Sequence, residues 1–360
     1  MFGHVSHLSR SIKSPARRVA ALAVVAASVV ALAACQSGTT ASGSSGSSGA
    51  GAADFRGKTI TLIAPDSPGG SYDSYARLFA PYLGQELGAT VNVENVAGAG
   101  TLQGTNQLAA ASPNGLTIGM VNVGADIASK VENQPGQSFD LRTISWIGQP
   151  AQIPNVIVTQ PGSNLQSFSG LLQSSSQVNV LDIRNGIGDM LNRVIYGAFG
   201  VPHKLDTGFE ATSALKQGFL AKDGQTILEA MSTLYPLISG NEAKPLLVIG
   251  AVGLPSYQKA LGSTPTLQSE LAQLTASKAA AVQEALALSN LSDDFAAPAG
   301  LPSGDLAALR QAFAKAAALP ALRAQALKES LPLAWVAGPA LSGQVNSALS
   351  GSSTIAPYVK

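Results

Sequence analysis

Two Gly-rich turns, each entered from a short apolar strand and leading into a helix, hold most of the chemistry this chain can offer. The first reads Pro68-Gly69-Gly70-Ser71-Tyr72-Asp73 and follows the apolar residues 60–64. The second reads Gly98-Ala99-Gly100-Thr101 and follows residues 91–93. Glycines let the backbone approach a ligand without side-chain obstruction. The first N–H groups of a helix have no intrahelical partner, so each turn is a natural seat for a carboxylate. Ser71 can cap its helix and can also donate a hydroxyl to a carboxylate. Asp73 has two readings: a favourable acidic residue at a helix start, or a group that orders bridging water or holds a ligand amine. Tyr72 is either a cleft wall carrying a hydroxyl or a core residue. A third turn, Arg184-Asn185-Gly186-Ile187-Gly188-Asp189, follows the apolar residues 178–182. From there the planar fork of Arg184 could hold a distal carboxylate in bidentate fashion; a solvated surface arginine is the alternative. Asn185 and Asp189 could instead cap the helix that follows Gly186.

Catalytic and cofactor chemistry finds little support. Beyond residue 34 the sole histidine is His203, so a Ser-His-Asp triad would depend on that one residue, and no G-x-S-x-G elbow occurs. One histidine and one cysteine exclude the usual zinc ligand sets. Gly98-Ala99-Gly100 superficially suggests a dinucleotide fingerprint, but the third glycine is Gly104, one position late, and no acidic residue follows at the usual distance. No Walker A lysine is present. Asp293-Asp294 reads as a solvated turn or cap rather than an acid–base pair. The expectation is a binding protein with no metal and no cofactor.

The elements that must position these turns alternate. Residues 58–123 run strand, helix, strand, helix, strand, the pattern of a parallel sheet. In the first helix Tyr75, Leu78, Phe79, Tyr82 and Leu83 share one face, with Gly84 and Gly88 expected to fray and end it. Residues 144–148, 156–159 and 178–182 continue the strands, and residues 246–252 are expected to cross back towards the first sheet. The last third is Ala-rich and helical, interrupted at Pro320, with the residues after Ser350 expected to fray. Trp146 and Trp335 are read as core.

The N-terminus is read as an export signal. Arg10, Lys13, Arg17 and Arg18 precede an apolar run, residues 19–31, too short to span a bilayer comfortably. Leu32-Ala33-Ala34-Cys35 resembles a bacterial lipoprotein processing site, with Cys35 as the lipid-modified first residue; an ordinary signal with a chance cysteine is the alternative. Removal of residues 1–34 takes four basic and no acidic residues, moving net charge from +1 to −3. That leaves no electrostatic footprint for nucleic acid. Residues 35–53 are Ser/Gly-rich and read as a tether, about 20–25 Å in mean span.

The segments Leu62-Ile63-Ala64-Pro65, Pro68 to Asp73 and Ala76-Arg77 make the chain similar to the substrate-binding proteins of tripartite tricarboxylate transporters. Leu87 to Asn95, Gly98-Ala99-Gly100, Ala111 to Thr117 and Phe295 to Pro302 extend the likeness. The resemblance implies an α/β, two-lobed periplasmic-binding-protein-like (type II) fold, each lobe a mostly parallel sheet flanked by helices, with a hinge cleft between them. Lobe 1 would comprise 54–155 plus 250–360, and lobe 2 would comprise 156–249. It implies capture of a small organic acid for the membrane subunits of a transporter, by a monomer. A co-receptor for a sensor kinase and a scaffold that has lost binding are the alternatives. Carried over by position, Gly69, Gly70, Ser71 and Asp73 match the first binding loop, and Gly98, Ala99, Gly100 and Thr101 the second. The family usually has Gly at the position of Thr101 and Arg-Pro where this chain has Val96-Ala97. Its Tyr/Ser/Gly-rich motif in lobe 2 is replaced by Asp182 to Gly188.

Overall fold

The computed structural model describes residues 54–359; the expected signal, Cys35 and the tether lie outside them. The strands are β1 (Thr59–Ala64), β2 (Thr90–Asn95), β3 (Thr117–Val121), β4 (Ser145–Gln149), β5 (Asn155–Thr159), β6 (Val178–Ile183), β7 (His203–Phe209), β8 (Thr226–Ala230), β9 (Lys244–Ile249), β10 (Asp294–Ala297) and β11 (Val336–Ala337). They form a six-stranded sheet in the order β11-β4-β10-β3-β1-β2 and a five-stranded sheet in the order β7-β6-β8-β5-β9.

Both sheets are mixed, which corrects the expectation of mostly parallel ones. β1 pairs in parallel with β2 and β3 through intervening helices, as parallel pairing requires. β10 arrives from a long helical excursion and enters antiparallel between β3 and β4. In the second sheet β6 is parallel to β7 and β8, whereas β5 is antiparallel to β8 and β9. Residues 246–252 do not cross back: β9 pairs along β5 as an edge strand of the second sheet, and the chain leaves only at Gly250. Gly250 has φ +105° and lies against Pro154, so the outgoing and returning connections run side by side. Gln149 at the end of β4 donates to the carbonyls of Asn290 (2.7 Å) and Ser292 (3.2 Å), tying them together.

Three apolar clusters account for the layers. One is shared by both sheets, with Ile63, Val121, Trp146, Ile157 and Val180 among its buried members. The second covers the outer face of the first sheet, where Phe79, Phe295 and Phe313 pack at 4.6–5.8 Å between ring centroids. The third backs the second sheet. Tyr75, Leu78, Phe79 and Leu83 of the Ser71–Leu87 helix are buried as their spacing requires, and Trp335 stacks on Phe313.

Two local expectations are corrected. Gly84 lies within its helix, which ends only at Gly88 (φ +62°). A Cβ on Gly84 would sit 2.9 Å from the Ala89 carbonyl, so glycine is there to let the returning chain pack back on the helix. The C-terminus is packed, not frayed: Ile355 and Val359 are buried, and the Tyr358 ring lies against Gly197 of the Ile187–Phe199 helix.

Candidate functional site

The cavity opens at the carboxyl ends of the central strands, where the helices that follow them begin, the position at which open α/β sheets place ligands. The first sheet contributes Pro65 and Asp66 beyond β1, Ser71 and Tyr72, the loop residues Gly98, Gly100 and Thr101, Asn122, and Asp293 just before β10. The second contributes Asn155, Asp182, Gly186 to Gly188, Glu210, Thr212 and Glu229.

Loop and turn meet over this cavity. Residues 99–101 are all left-handed, at φ +50°, +64° and +88°. For Ala99 and the β-branched Thr101 that is strained backbone. A Cβ on Gly100 would lie 2.4 Å from the Asn185 carbonyl carbon, 2.5 Å from the Gly186 nitrogen and 2.6 Å from the Arg184 oxygen. The second loop and the third turn are therefore in backbone-to-backbone contact. A second bridge runs from Asp66 to the start of the Thr212–Ala221 helix. The Thr212 hydroxyl donates to Asp66 Oδ2 at 2.8 Å, and the Ser213 N–H donates to Ser67 Oγ at 3.2 Å.

The acidic residues at the two helix starts are built alike. Asp73 accepts from the Gly69 N–H (2.9 Å), Arg77 Nε (2.8 Å) and Asn95 Nδ2 (3.0 Å). Asp189 accepts from the Asn185 N–H (3.3 Å) and Arg193 Nε (2.7 Å). Each carboxylate thus clamps the turn four residues before it to the arginine four residues after it. Asp73 is a structural residue outside the cavity lining.

Placement divides the remaining residues singled out from the sequence. Ser71, Tyr72, Gly98, Gly100, Thr101 and Gly186 line the cavity; Gly69, Gly70, Ala99, Arg184 and Asn185 do not. Arg184 is corrected as a ligand-facing group: its turn presents backbone to Gly100, and its side chain is exposed. Ser71 is corrected as a cap, because Gly70 occupies the N-cap position and no side chain caps that helix. Tyr72, 7% exposed, is both cavity wall and core. His203 lies in β7, with its Nδ1 2.9 Å from the Val201 carbonyl, and is not part of the lining.

What sequence reasoning missed is the acidity of the lining. Asp66, Asp182, Glu210, Glu229 and Asp293 all border the cavity, and no Lys, Arg or His does among the described residues. Burial pushes Asp182 and Glu229 up to about 8 and Asp293 up to about 6, and it also raises Asp66. The Ser71 and Ser292 hydroxyls facing Asp293 pull it partly back. Asp293 and Asp294 are buried, at 2% and 0% exposure, correcting the solvated-turn reading. Their position directly before a central strand was the available signal.

Two of these carboxylates fill the space that the glycines open. A Cβ on Gly70 would fall 2.2 Å from Asp66 Oδ2, and one on Gly188 would fall 2.8 Å from Asp182 Oδ1. Asp182 is held there by Asn192 Nδ2 (2.5 Å) and the Ile183 N–H (2.7 Å). The N-termini of both helices thus already face a carboxylate of the protein itself.

A mixed two-sheet α/β body with a polar-lined cavity at the strand ends defines a periplasmic-binding-protein fold. Solved structures share it at low identity. BugD superposes with a TM-score of 0.67 at 19% identity, over 81% of this chain and 94% of that one. MatC from Rhodopseudomonas palustris with bound malate gives 0.67 at 16%, over 83% and 99%. An R. palustris protein with adipate gives 0.67 at 16%, over 84% and 97%. Residues 75–205 match the model of the tripartite tricarboxylate transporter family receptor. BugT from Bordetella pertussis is 34% identical over 125 residues, 34% of this chain and 37% of that protein. A UPF0065 protein from the ttuE-ttuC' intergenic region of Agrobacterium vitis is 27% identical over 156 residues, 40% and 44% of the two chains. The chain thus spans less than half the length of the curated relatives it matches. Among the described residues no helix is long and apolar enough to cross a membrane.

Proposed function

We propose that this chain is an extracytoplasmic solute receptor. It captures a small organic acid between its two sheets and delivers it to the membrane subunits of a tripartite tricarboxylate transporter. Residues 54–155 with 250–360 act as one lobe and 156–249 as the other. The ligand binds the closed arrangement better and shifts the open–closed equilibrium towards it. The observation that carries this reading is the meeting of Gly100 with the backbone of residues 184–186 over a polar cavity to which both sheets contribute. A carboxylate of the ligand is held at Gly98 to Thr101, where a left-handed run of backbone offers its N–H groups, with Tyr72 as the adjoining wall. The malate and adipate held by the two R. palustris structures support an acid ligand. Lipidation of Cys35 with more than one acyl chain anchors the receptor stably at the membrane.

Thermal-shift screening of the purified protein against mono-, di- and tricarboxylates tests the capture. Stabilisation by several degrees, lost in Gly100→Val, is the expected result. No shift by any acid would leave a scaffold that has lost binding. Fractionation of cells carrying Cys35→Ser tests the anchor: the variant is expected in the soluble extracytoplasmic fraction, and its retention in the membrane would refute lipid attachment.

A further inference from the structure

The proposed function accounts for one end of a ligand and leaves the rest of the cavity unexplained. A second ligand carboxylate would be best held by a cation, and among the described residues no Lys, Arg or His lines the cavity, whereas five acidic residues do. Asp66 and Asp182 fill the two helix starts themselves. Asp293 is 2% exposed, borders the cavity, and its Oδ1 has no hydrogen-bond partner. The Ser71 and Ser292 hydroxyls face this carboxyl, and its Oδ1 is left open to a donor on whatever enters. Asp293 also stands at φ +61°, a left-handed backbone that Asp and Asn tolerate. Glu229 faces the same cavity from β8 in the other sheet.

The positive charges nearby are paired, exposed as at Arg184, or outside the lining. Arg193 is paired with Asp189 at 2.7 Å and Arg77 with Asp73 at 2.8 Å. Lys216, half-buried on the Thr212–Ala221 helix, acts on Glu229 through its field but is not part of the lining. Among the described residues no group of three or more acidic, His or Cys side chains is arranged to hold a metal ion. The acids are spread around the cavity rather than gathered to chelate, which suits an organic cation and not a bare metal.

We infer that the natural ligand carries an amine, its ammonium group held by Asp293 with Glu229 facing it from the other sheet. The inference rests on the cavity being the solute site. Combined with the carboxylate seat at Gly98 to Thr101, it makes the ligand an amine-bearing carboxylate rather than a di- or tricarboxylate. Burial is the main cause of the upward shifts of Asp182, Glu229 and Asp293, with neighbouring acids adding to it. An entering ammonium favours the ionised forms and draws those groups back down.

Isosteric probes separate the possibilities. Adipate, 6-aminohexanoate, 1,6-diaminohexane and adipamide share one chain length; succinate, 4-aminobutanoate and 1,4-diaminobutane share a shorter one. They are titrated calorimetrically into the purified protein at pH 7, beside the α-amino acids. The expected result is binding of an amine-bearing carboxylate at least tenfold tighter than of the matching dicarboxylate. Asp293→Asn should lose at least tenfold of that affinity, and Glu229→Gln should lose affinity in the same direction. Asparagine tolerates the left-handed backbone at 293, so this variant is expected to fold. Binding of a diamine alone would support the cationic site while overturning the carboxylate reading of the proposed function. Equal or tighter binding of the dicarboxylate would overturn the amine inference and leave the proposed function standing. Binding of the neutral diamide, or full affinity in both variants, would also overturn the amine inference. No binding by any probe would overturn both.

Discussion

Gly100→Ala should weaken ligand binding far more than it weakens the fold. In the observed arrangement the new methyl lies 2.4–2.6 Å from three backbone atoms of residues 184–186. Ordinary contact requires about 3.5–4.0 Å, so loop and turn must part by about 1 Å or more. Backbone cannot rotate aside as a side chain can, and overpacking of this kind costs about 1–3 kcal/mol. A non-glycine residue at φ +64° adds about 1–2 kcal/mol whether or not the lobes close. The left-handed cost appears in denaturant unfolding of the ligand-free protein, whereas the contact cost is relieved by opening and appears in affinity. At 1.4 kcal/mol per decade, affinity falls about 5- to 150-fold. Gly162→Ala is the control: its φ is +80° and a Cβ there meets nothing within 4 Å. That variant should lose about as much stability and no affinity. Calorimetric titration measures the affinities, and small-angle scattering should show Gly100→Ala expanded at ligand concentrations that leave the parent compact. A Gly100→Ala protein with parental affinity and parental scattering would refute the idea that this contact closes the site.

Thr101→Gly should raise stability by about 1 kcal/mol, because it relieves a β-branched residue at φ +88° and removes a buried hydroxyl without a hydrogen-bond partner. A lower melting temperature would show that the loop gains more from the side chain than the backbone loses. Asp73→Ala should destabilise by about 2 kcal/mol, since it removes the acceptor of Gly69, Arg77 and Asn95. The Arg77 share is small, that side chain being half exposed. Unfolding within 0.5 kcal/mol of the parent would refute the clamp. The pH dependence has a definite sign. Asp293, Asp182 and Glu229 have folded-state pKa values raised to about 6, 8 and 8, so the folded state holds protons that the unfolded state has lost. Their stabilising contribution is complete below about pH 4 and is lost as pH rises through 6 to 8, at about 1.4 kcal/mol per pH unit for each proton held. The ligand-free melting temperature should therefore fall between pH 5 and 8.5, and Glu229→Gln should flatten the decline. A flat or rising profile would contradict the burial of these acids.

The strands, the helix faces and the three turns were legible because each is a local pattern: apolar period, glycine, then apolar period again. The apolar face from Tyr75 to Leu83 and the stop at Gly88 needed nothing beyond the helix itself. Pairing direction was less accessible. β9 reads as a generic buried strand, and only its register with β5 assigns it to the second sheet. The acidic wall was illegible for a related reason, since Asp66, Asp182, Glu229 and Asp293 are scattered singly and only the fold assembles them. Arg184 was open to two readings, a ligand-facing fork or a solvated surface arginine, and the exposed side chain fits the second. A tight turn presents one side as backbone, and here that side meets Gly100.

The glycines that suggested an anion seat have a second use once Asp66 and Asp182 are in view. Each acid stands at or just beyond the end of a central strand, and each lies where the Cβ of a residue at the following helix start would be. Gly70 and Gly188 are therefore required to admit the protein's own acidic side chain at the helix start, where burial raises the pKa of both Asp66 and Asp182. Where the strand end is neutral, the helix start is open to an anion from outside. Where an acid stands there, the helix start is satisfied internally, and the acids left facing the cavity set the charge that can enter. Asp66 also accepts from Thr212 of the other sheet, so the same carboxylate that fills the first helix start draws the two sheets together. Loss of Asp66 should then loosen closure and reopen an anion seat at once, which makes a gain in dicarboxylate affinity in Asp66→Ala the sharpest mark of a self-filled site. A variant that gains no dicarboxylate affinity, while still folding, would show that filling the helix start does not govern ligand charge.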